Sequence, residues 1–287
     1  MICAARYNPG MASFTQDHST QLALSGKVAV ITGASMGIGE AIAKLFVIQG
    51  AQVVLLSRDS GRLEAARERI EHPDQTLALA CDVRHREEID RAIGLVMHHF
   101  QRIDIWINNA GHALLDSIAN MKMSDCREMF DTNFFGTVET MQAVIPIMKQ
   151  QGSGAIINVS SVAGHIPLPF NASYSATKFA MNAIGKAARI ELAGTGIHVT
   201  TVCPGYVRTD FGANAVKGSD YKQVRPKTTR GIGAERVARA VLRGYLNHKR
   251  EVIVPWTMTP VVKIYQLFPG LVERSMIRMT RKRPLVP

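Results

Sequence analysis

Tyr174 and Lys178 stand four residues apart in the run Tyr-Ser-Ala-Thr-Lys, at the start of a segment with helical spacing and many small residues. An i,i+4 pair shares one helix face, so this phenol and this ammonium can converge on one cleft. A free phenol titrates near ~10 and shuttles protons poorly at neutral pH. A cation ~5 Å away, at an effective dielectric of ~20, favours the phenolate by roughly 3 kcal/mol, or about two pK units. Tyr174 would then serve as a general acid or base. Such pairs also arise on ordinary helix surfaces, so the pair gains meaning only from its company.

That company begins with Gly33-Ala34-Ser35-Met36-Gly37-Ile38-Gly39, between the apolar run Lys27–Thr32 and a helical pattern. Three glycines at a strand-to-helix junction allow a tight turn. They also let the backbone amides of Gly33, Ser35, Met36, Gly37, Ile38 and Gly39 approach a pyrophosphate at a helix N-terminus, where the partial charge is positive. The second apolar run ends at Ser57-Arg58-Asp59. An acidic residue at that tip would grip the 2′-hydroxyl of NAD and repel a 2′-phosphate. Ser57 followed by Arg58 suits the extra phosphate, so the expected cofactor is NADP(H) rather than NAD(H). Asp59, two places on, is the alternative ribose ligand, and a solvated Arg58–Asp59 pair is the plain alternative.

The elements that must hold these groups follow from periodicity. Lys27–Thr32, Gln52–Ser57, Thr76–Ala80, Ile103–Asn108, Ala155–Ser160, Ile197–Cys203 and Glu251–Val254 are apolar, β-branched runs. Runs apolar at nearly every position suit strands buried on both faces of a parallel sheet. Helical patterns over Ile38–Gln49, Gly61–Ile70, Arg86–Phe100, Arg127–Lys149 and Tyr174–Leu192 alternate with them. The alternation predicts right-handed βαβ units and an α/β fold, a Rossmann-type doubly wound parallel sheet flanked by helices. One catalytic, dinucleotide-binding domain is expected over residues 24–255, after a loose leader (1–23) and before a C-terminal amphipathic helical extension (256–287). Met11, ahead of polar Ser13–Thr20, reads as an alternative start.

Taken together, Thr32–Gly39, Asn108-Asn109-Ala110-Gly111, Asn133, Ser160-Ser161, Tyr174-x-x-x-Lys178 and Pro204-Gly205 resemble the short-chain dehydrogenase/reductases in order and spacing, over roughly residues 24–255. The resemblance implies a catalytic set of Asn133, Ser161, Tyr174 and Lys178. Tyr174 would hand a proton to a carbonyl oxygen, or take one from an alcohol. Lys178 would lower the Tyr174 pKa and bond the nicotinamide ribose. Ser161, thirteen residues before Tyr174, would hold the substrate oxygen, with Ser160 a structural neighbour. Asn133 would anchor a proton-relaying water, against the alternative of a satisfied helix-interior asparagine. Asp82 and Val83 would face adenine, and Asn109, Ala110 and Gly111 would line the cofactor. Pro204, Gly205, Val207 and Thr209 would close over its nicotinamide end. The Tyr–Lys spacing and the glycine motif point to keto/hydroxyl chemistry rather than alkene reduction or epimerisation.

Specificity is expected beyond the strand ends, from His112, Leu114, the His165–Phe170 loop, Tyr206 and Phe211. His165 reads as a solvent-exposed loop histidine. Phe211–Gly233 shows no strand or helix period and resembles the family's substrate lid, decorated by Lys217, Lys222, Arg225, Lys227 and Arg230. In the extension, Val261, Ile264, Tyr265, Leu267 and Phe268 make an apolar face, interrupted by Pro269-Gly270. Arg274, Arg278, Arg281 and Lys282 form a basic stripe. It resembles extensions that cap the lipophilic pockets of hydroxysteroid and retinoid dehydrogenases. A packing or oligomer helix and a helix on an anionic membrane are the alternatives.

Composition bounds the rest. The chain has 287 residues, 46% apolar and 20% charged, ample for a sizeable core. Its formal charge is +11, but residues 1–221 carry 19 Lys+Arg against 20 Asp+Glu, while residues 222–287 carry 15 against 3. Charge confined to one tail excludes a chain-wide nucleic-acid surface. Cys3, Cys81, Cys126 and Cys203 show no close pairing, and the nine histidines form no His-Glu-x-x-His pattern, so no metal site and no disulfide framework are expected. The reading is a cytoplasmic, optionally membrane-peripheral oxidoreductase, a homodimer or homotetramer, acting on a hydrophobic small molecule. Its alternatives are a 3-oxoacyl-carrier-protein reductase and a non-catalytic nucleotide- or lipid-binding scaffold.

Overall fold

The computed structural model describes residues 22–220 and 231–281. Its elements run β1 (Val28–Thr32), α1 (Gly37–Ile48), β2 (Gln52–Ser57), α2 (Ser60–Glu68), β3 (Thr76–Ala80), α3 (Arg86–Phe100), β4 (Ile105–Asn108) and the two-residue β5 (Leu114–Leu115). After these come α4 (Met123–Phe130), α5 (Gly136–Gln151), β6 (Gly154–Val159), α6 (Ala172–Glu191), β7 (Ile197–Pro204) and a short β8 (Val216–Lys217). The chain continues through α7 (Ala234–Leu246), β9 (Glu251–Val254), α8 (Met258–Leu267) and α9 (Pro269–Arg281). Seven strands form one parallel sheet in the order β3-β2-β1-β4-β6-β7-β9. The order reverses between β1 and β4, which opens a crevice at the carboxyl ends of those strands. This is the expected Rossmann-type doubly wound α/β fold.

Strand alternation divides the core in two. Ala29 and Ile31 of β1, Val53 and Leu55 of β2, and Ile105 and Ile107 of β4 pack against α1 and α7. Val28, Val30, Val54, Leu56 and Trp106 pack against α3, α5 and α6 on the other face. Helix α7 buries Val237, Ala238, Ala240 and Val241, and leaves Arg236, Arg239 and Arg243 exposed. Part of the basic surplus is therefore an ordinary solvated helix face.

Four expectations need correction. The helix over Arg127–Lys149 is not continuous: α4 and α5 flank a single π turn, Asp131–Phe135. The wider turn carries Asn133 inward, where the side chain bonds both main-chain groups of His112. Next, the stretch after Phe211 has strand structure, because β8 pairs with β5 and Val207 bridges Ile232. Lys222, Arg225, Lys227 and Arg230 lie outside the described residues, as do residues 1–21 of the leader, Lys282 and the rest of the C-terminus. The third correction concerns α8, whose inward residue is Val262, packed with Val162 and Ile166 and flanked by Met258 and Tyr265. Val261, Ile264, Leu267 and Phe268, expected to form the packing face, are exposed. Finally, His165 is buried, not solvent-exposed, because Asn182, Cys203 and Glu251 close around its ring.

Candidate active site

Gly33 leaves β1 with a φ of 64°, the left-handed region that favours glycine, and a Cβ there would lie 2.8 Å from the Ala110 Cα. A Cβ on Gly39 would meet the Gly33 carbonyl at 2.3 Å. The loop can therefore fold back on the first turn of α1 only because both positions lack side chains. Met36 precedes the helix in extended conformation without a side-chain cap, so the free amides of Gly37, Ile38 and Gly39 face the crevice end of β1. That is the cradle a pyrophosphate needs.

Thr32 ties this loop to the neighbouring strand. Its buried hydroxyl accepts from the amides of Asn109 and Ala110, both at 3.0 Å, and donates to the Ile107 carbonyl at 3.3 Å. Asn109 Nδ2 returns the bond to the carbonyls of Thr32 (3.0 Å) and Gly33 (3.1 Å). Asn109 and Ala110 thus fix the two sides of the crevice relative to each other. Gly111 follows them beside Asn133.

At the tip of β2, Ser57 donates to Ser35 Oγ at 3.2 Å, bracing the glycine loop. Arg58 is exposed. Asp59 is committed elsewhere: its carboxylate caps α2, accepting from the Arg62 amide at 2.9 Å, and pairs with the Arg62 guanidinium. Past β3, the Asp82 carboxylate is clamped by Arg84 at 2.6 Å, and Val83 is buried against Gly136.

Helix α6 presents Tyr174 and Lys178 to the same cleft, both buried. Lys178 Nζ lies 5.7 Å from the Tyr174 ring centroid and donates to the Val159 carbonyl at 3.0 Å. Ser161 starts the 3₁₀ turn after β6; its Oγ accepts from the Ala163 amide and donates to the Pro204 carbonyl at 3.4 Å. Ser160 donates to the Lys178 carbonyl at 3.3 Å, consistent with a structural neighbour. Asn133 Nδ2 donates to the His112 carbonyl (2.9 Å) and Thr177 Oγ1 (3.2 Å), joining the π turn to α6. Phe211 lies over the phenol with ring centroids 5.7 Å apart, and Leu114 is buried in the same apolar cluster as Tyr174. Tyr206 is exposed, and Thr209 sits against Gly37 across the crevice. Pro204 ends β7, the Gly205 amide donates to the Val254 carbonyl, and Val207 follows at its bridge to Ile232.

The electrostatics run against the simple pair argument. Burial pushes the Tyr174 phenol up to about 12, while the neighbouring Ser161 hydroxyl pulls the other way. Burial also pushes the Lys178 ammonium down to about 8. Desolvation is the dominant cause for both groups. In this state the chain holds a protonated phenol, ready to give its proton, beside an amine poised near neutrality.

Thr32 opens the glycine motif read from the sequence but was not among the expected site residues; its hydroxyl joins the two walls of the crevice.

A fold with this crevice, carrying a glycine loop on one wall and a serine, tyrosine and lysine on the other, defines a dinucleotide-dependent oxidoreductase. Residues 27–220 match the family model of short chain dehydrogenases. A Danio rerio protein, dehydrogenase/reductase SDR family member 7B, is 33% identical over 271 residues, covering 91% of this chain and 87% of the relative. Two solved structures align with TM-scores of 0.72 and 0.73. One is a 3-ketoacyl-(acyl-carrier-protein) reductase from Brucella melitensis complexed with NADH, 29% identical over 80% of this chain and 97% of that one. The other is a closed form of serine dehydrogenase complexed with NADP⁺, 31% identical over 79% and 94%. The chain belongs to the short-chain dehydrogenase/reductase family, and its activity is that of an oxidoreductase.

Proposed function

We propose that this chain interconverts a secondary alcohol and a carbonyl on a hydrophobic small molecule, with NADP(H) as cofactor. The convergence of Ser161, Tyr174 and Lys178 beside the glycine loop is the observation that carries this reading. A nicotinamide dinucleotide, when bound, supplies or accepts the hydride. The amides at the start of α1 would hold its pyrophosphate, and Asn109 and Ala110 would wall its ribose side. The exposed Arg58, with Asp59 already spent on capping α2, favours the 2′-phosphate of NADP(H) over NAD(H).

The chain's own part in the chemistry is proton handling. Ser161 Oγ orients the substrate oxygen, and the buried, protonated Tyr174 donates to that oxygen as charge develops on it. Lys178 would bond the ribose and, as an ammonium, return a proton to the phenolate and regain it from solvent, while Asn133 holds α6 and the His112 segment in register. Leu114 and Phe211 give the cleft an apolar wall, which supports a hydrophobic substrate.

The exposed residues Trp256, Ile264, Leu267, Phe268 and Leu271, beside the basic Lys263, Arg274 and Arg278, support peripheral contact with an anionic membrane. Among the described residues no helix is long and apolar enough to cross one. Self-association into a dimer or tetramer completes the reading, by family resemblance.

The test is turnover of a panel of aliphatic, steroidal and acyl-carrier-linked ketones with NADPH and with NADH. Preferred reduction of a free lipophilic ketone with NADPH is expected. Turnover confined to acyl-carrier substrates would transfer the assignment to a 3-oxoacyl reductase, and cofactor binding without any turnover would favour a scaffold.

A further inference from the structure

Behind the catalytic helix, three segments far apart in sequence bring a thiol, an imidazole and a carboxylate to one point. His165 closes the turn that starts at Ser161, Cys203 precedes Pro204 near the end of β7, and Glu251 opens β9. His165 Nε2 lies 3.5 Å from Cys203 Sγ and 3.2 Å from Glu251 Oε2. All three donor atoms lie within 4.8 Å of one another.

Hydrogen bonding alone does not satisfy this cluster. One ring nitrogen offers a single proton or a single lone pair. Here it has a third polar neighbour, Asn182 Nδ2 at 3.4 Å, which already donates to the Gly164 carbonyl at 2.8 Å. Glu251 Oε2 lies 3.2 Å from the ring, and the imidazole holds this carboxyl below the usual carboxylate range, but the contact is off-line and leaves the buried oxygen without a well-aligned hydrogen bond. Leaving such an oxygen unpaired is costly.

The distances also suit a cation. Zinc bonds of about 2.0–2.1 Å to nitrogen, ~2.3 Å to sulfur and ~2.0–2.2 Å to oxygen imply, at tetrahedral angles, edges of about 3.6 Å for N···S and about 3.4 Å for N···O. The two observed edges, 3.5 Å and 3.2 Å, agree with these within roughly 0.2 Å.

We propose that His165 Nε2, Cys203 Sγ and Glu251 Oε2 form a binding site for a divalent, zinc-type metal ion. A mixed sulfur, nitrogen and oxygen set suits zinc better than magnesium or calcium. On binding, the Cys203 thiol loses its proton to solvent. The thiolate, the carboxylate and a neutral imidazole then balance the dication. The Glu251 side chain, 27% exposed against 5% for His165, provides the entry edge. The ion would tie the Ser161 turn to β7 and β9, pinning the catalytic serine to the strand ends that carry Pro204 and the C-terminal extension. This inference rests on geometry that is independent of the proposed reaction.

The experiment uses the full chain, reduced and stripped of metal by a chelator, titrated with Co²⁺ and then with Zn²⁺. One equivalent of cobalt should give a thiolate-to-cobalt charge-transfer band with the intense ligand-field bands of tetrahedral cobalt, and zinc should abolish both. Cys203→Ala should remove the charge-transfer band. Glu251→Gln, which keeps the side-chain volume at a partly exposed position, should weaken cobalt binding at least about tenfold. Absence of the band in the unaltered chain would overturn the proposal, as would a band persisting in Cys203→Ala. If Cys203→Ala does not fold, unchanged cobalt affinity in Glu251→Gln overturns it instead.

Discussion

Thr32→Val tests whether one buried hydroxyl organises the cofactor crevice. Valine keeps the volume and the strand preference of threonine but removes an oxygen that accepts two amides, those of Asn109 and Ala110, each at 3.0 Å. Leaving a buried donor unpaired costs about 1–3 kcal/mol. Both amides belong to half-buried residues, which moves the estimate to the lower part of that range. The variant should therefore lose about 2–4 kcal/mol of unfolding free energy, a drop in Tm of roughly 5–15 °C for a domain of this size. Because Asn109 and Ala110 also form one wall of the crevice, NADPH affinity should fall about tenfold, equivalent to ~1.4 kcal/mol. Urea unfolding and fluorescence titration with NADPH read the two effects. Thr32→Ser, which retains the hydroxyl, serves as the control: it should lose about 1 kcal/mol and keep its affinity for NADPH. A valine variant as stable as the serine variant, with unaltered affinity, would refute the reasoning.

Further outcomes follow from the same site. Lys178 is lowered from 10.5 to about 8 by burial, so between those values the unfolded chain holds a proton that the native chain lacks. Stability from this group rises with pH across that window, and below pH 8 its cost is fully present. The unfolding free energy of Lys178→Met minus that of the unaltered chain should therefore fall by roughly 3 kcal/mol from pH 8 to 10.5; parallel pH profiles would contradict the assignment. Arg58→Asp replaces the exposed cation beside the expected 2′-phosphate and should move the NADPH/NADH preference in kcat/KM toward NADH by at least about tenfold. An unchanged ratio would show that Arg58 does not read the phosphate. The full chain should sediment with anionic vesicles at low salt and much less at high salt. Leu267→Ser with Phe268→Ser, two exposed positions on the extension, should abolish that binding without altering turnover of a water-soluble ketone.

Periodicity made most of the fold legible. The bounds of β2, β3, α3 and β9 coincide with those read from the sequence, because their ends coincide with a change of hydrophobic period. The π turn at Asp131–Phe135 was hidden, since one extra residue per turn barely disturbs a helical pattern. Strands β5 and β8, two residues each, are too short to carry a period. The extension misled for a different reason: α8 is apolar on two faces, and the pattern does not say which one meets the core. The spacing of Ser161, Tyr174 and Lys178 was readable because two of the three lie on one helix and the third lies in the strand-end turn beside it. His165 was misjudged because Cys203 and Glu251, which bury it, lie 38 and 86 residues further along. The sign of the Tyr174 shift was missed as well. A pairwise estimate counts the attraction of Lys178 but not the water that both groups lose.

The central proposal is that Tyr174 handles the proton in a crevice that binds NADPH independently of it. Tyr174→Phe removes one oxygen from a buried ring and leaves the glycine loop untouched. Measured on the same preparation, NADPH affinity should remain within about twofold of the unaltered chain while ketone reduction falls by roughly 10²–10⁴. Turnover equal to that of the unaltered chain would contradict the account.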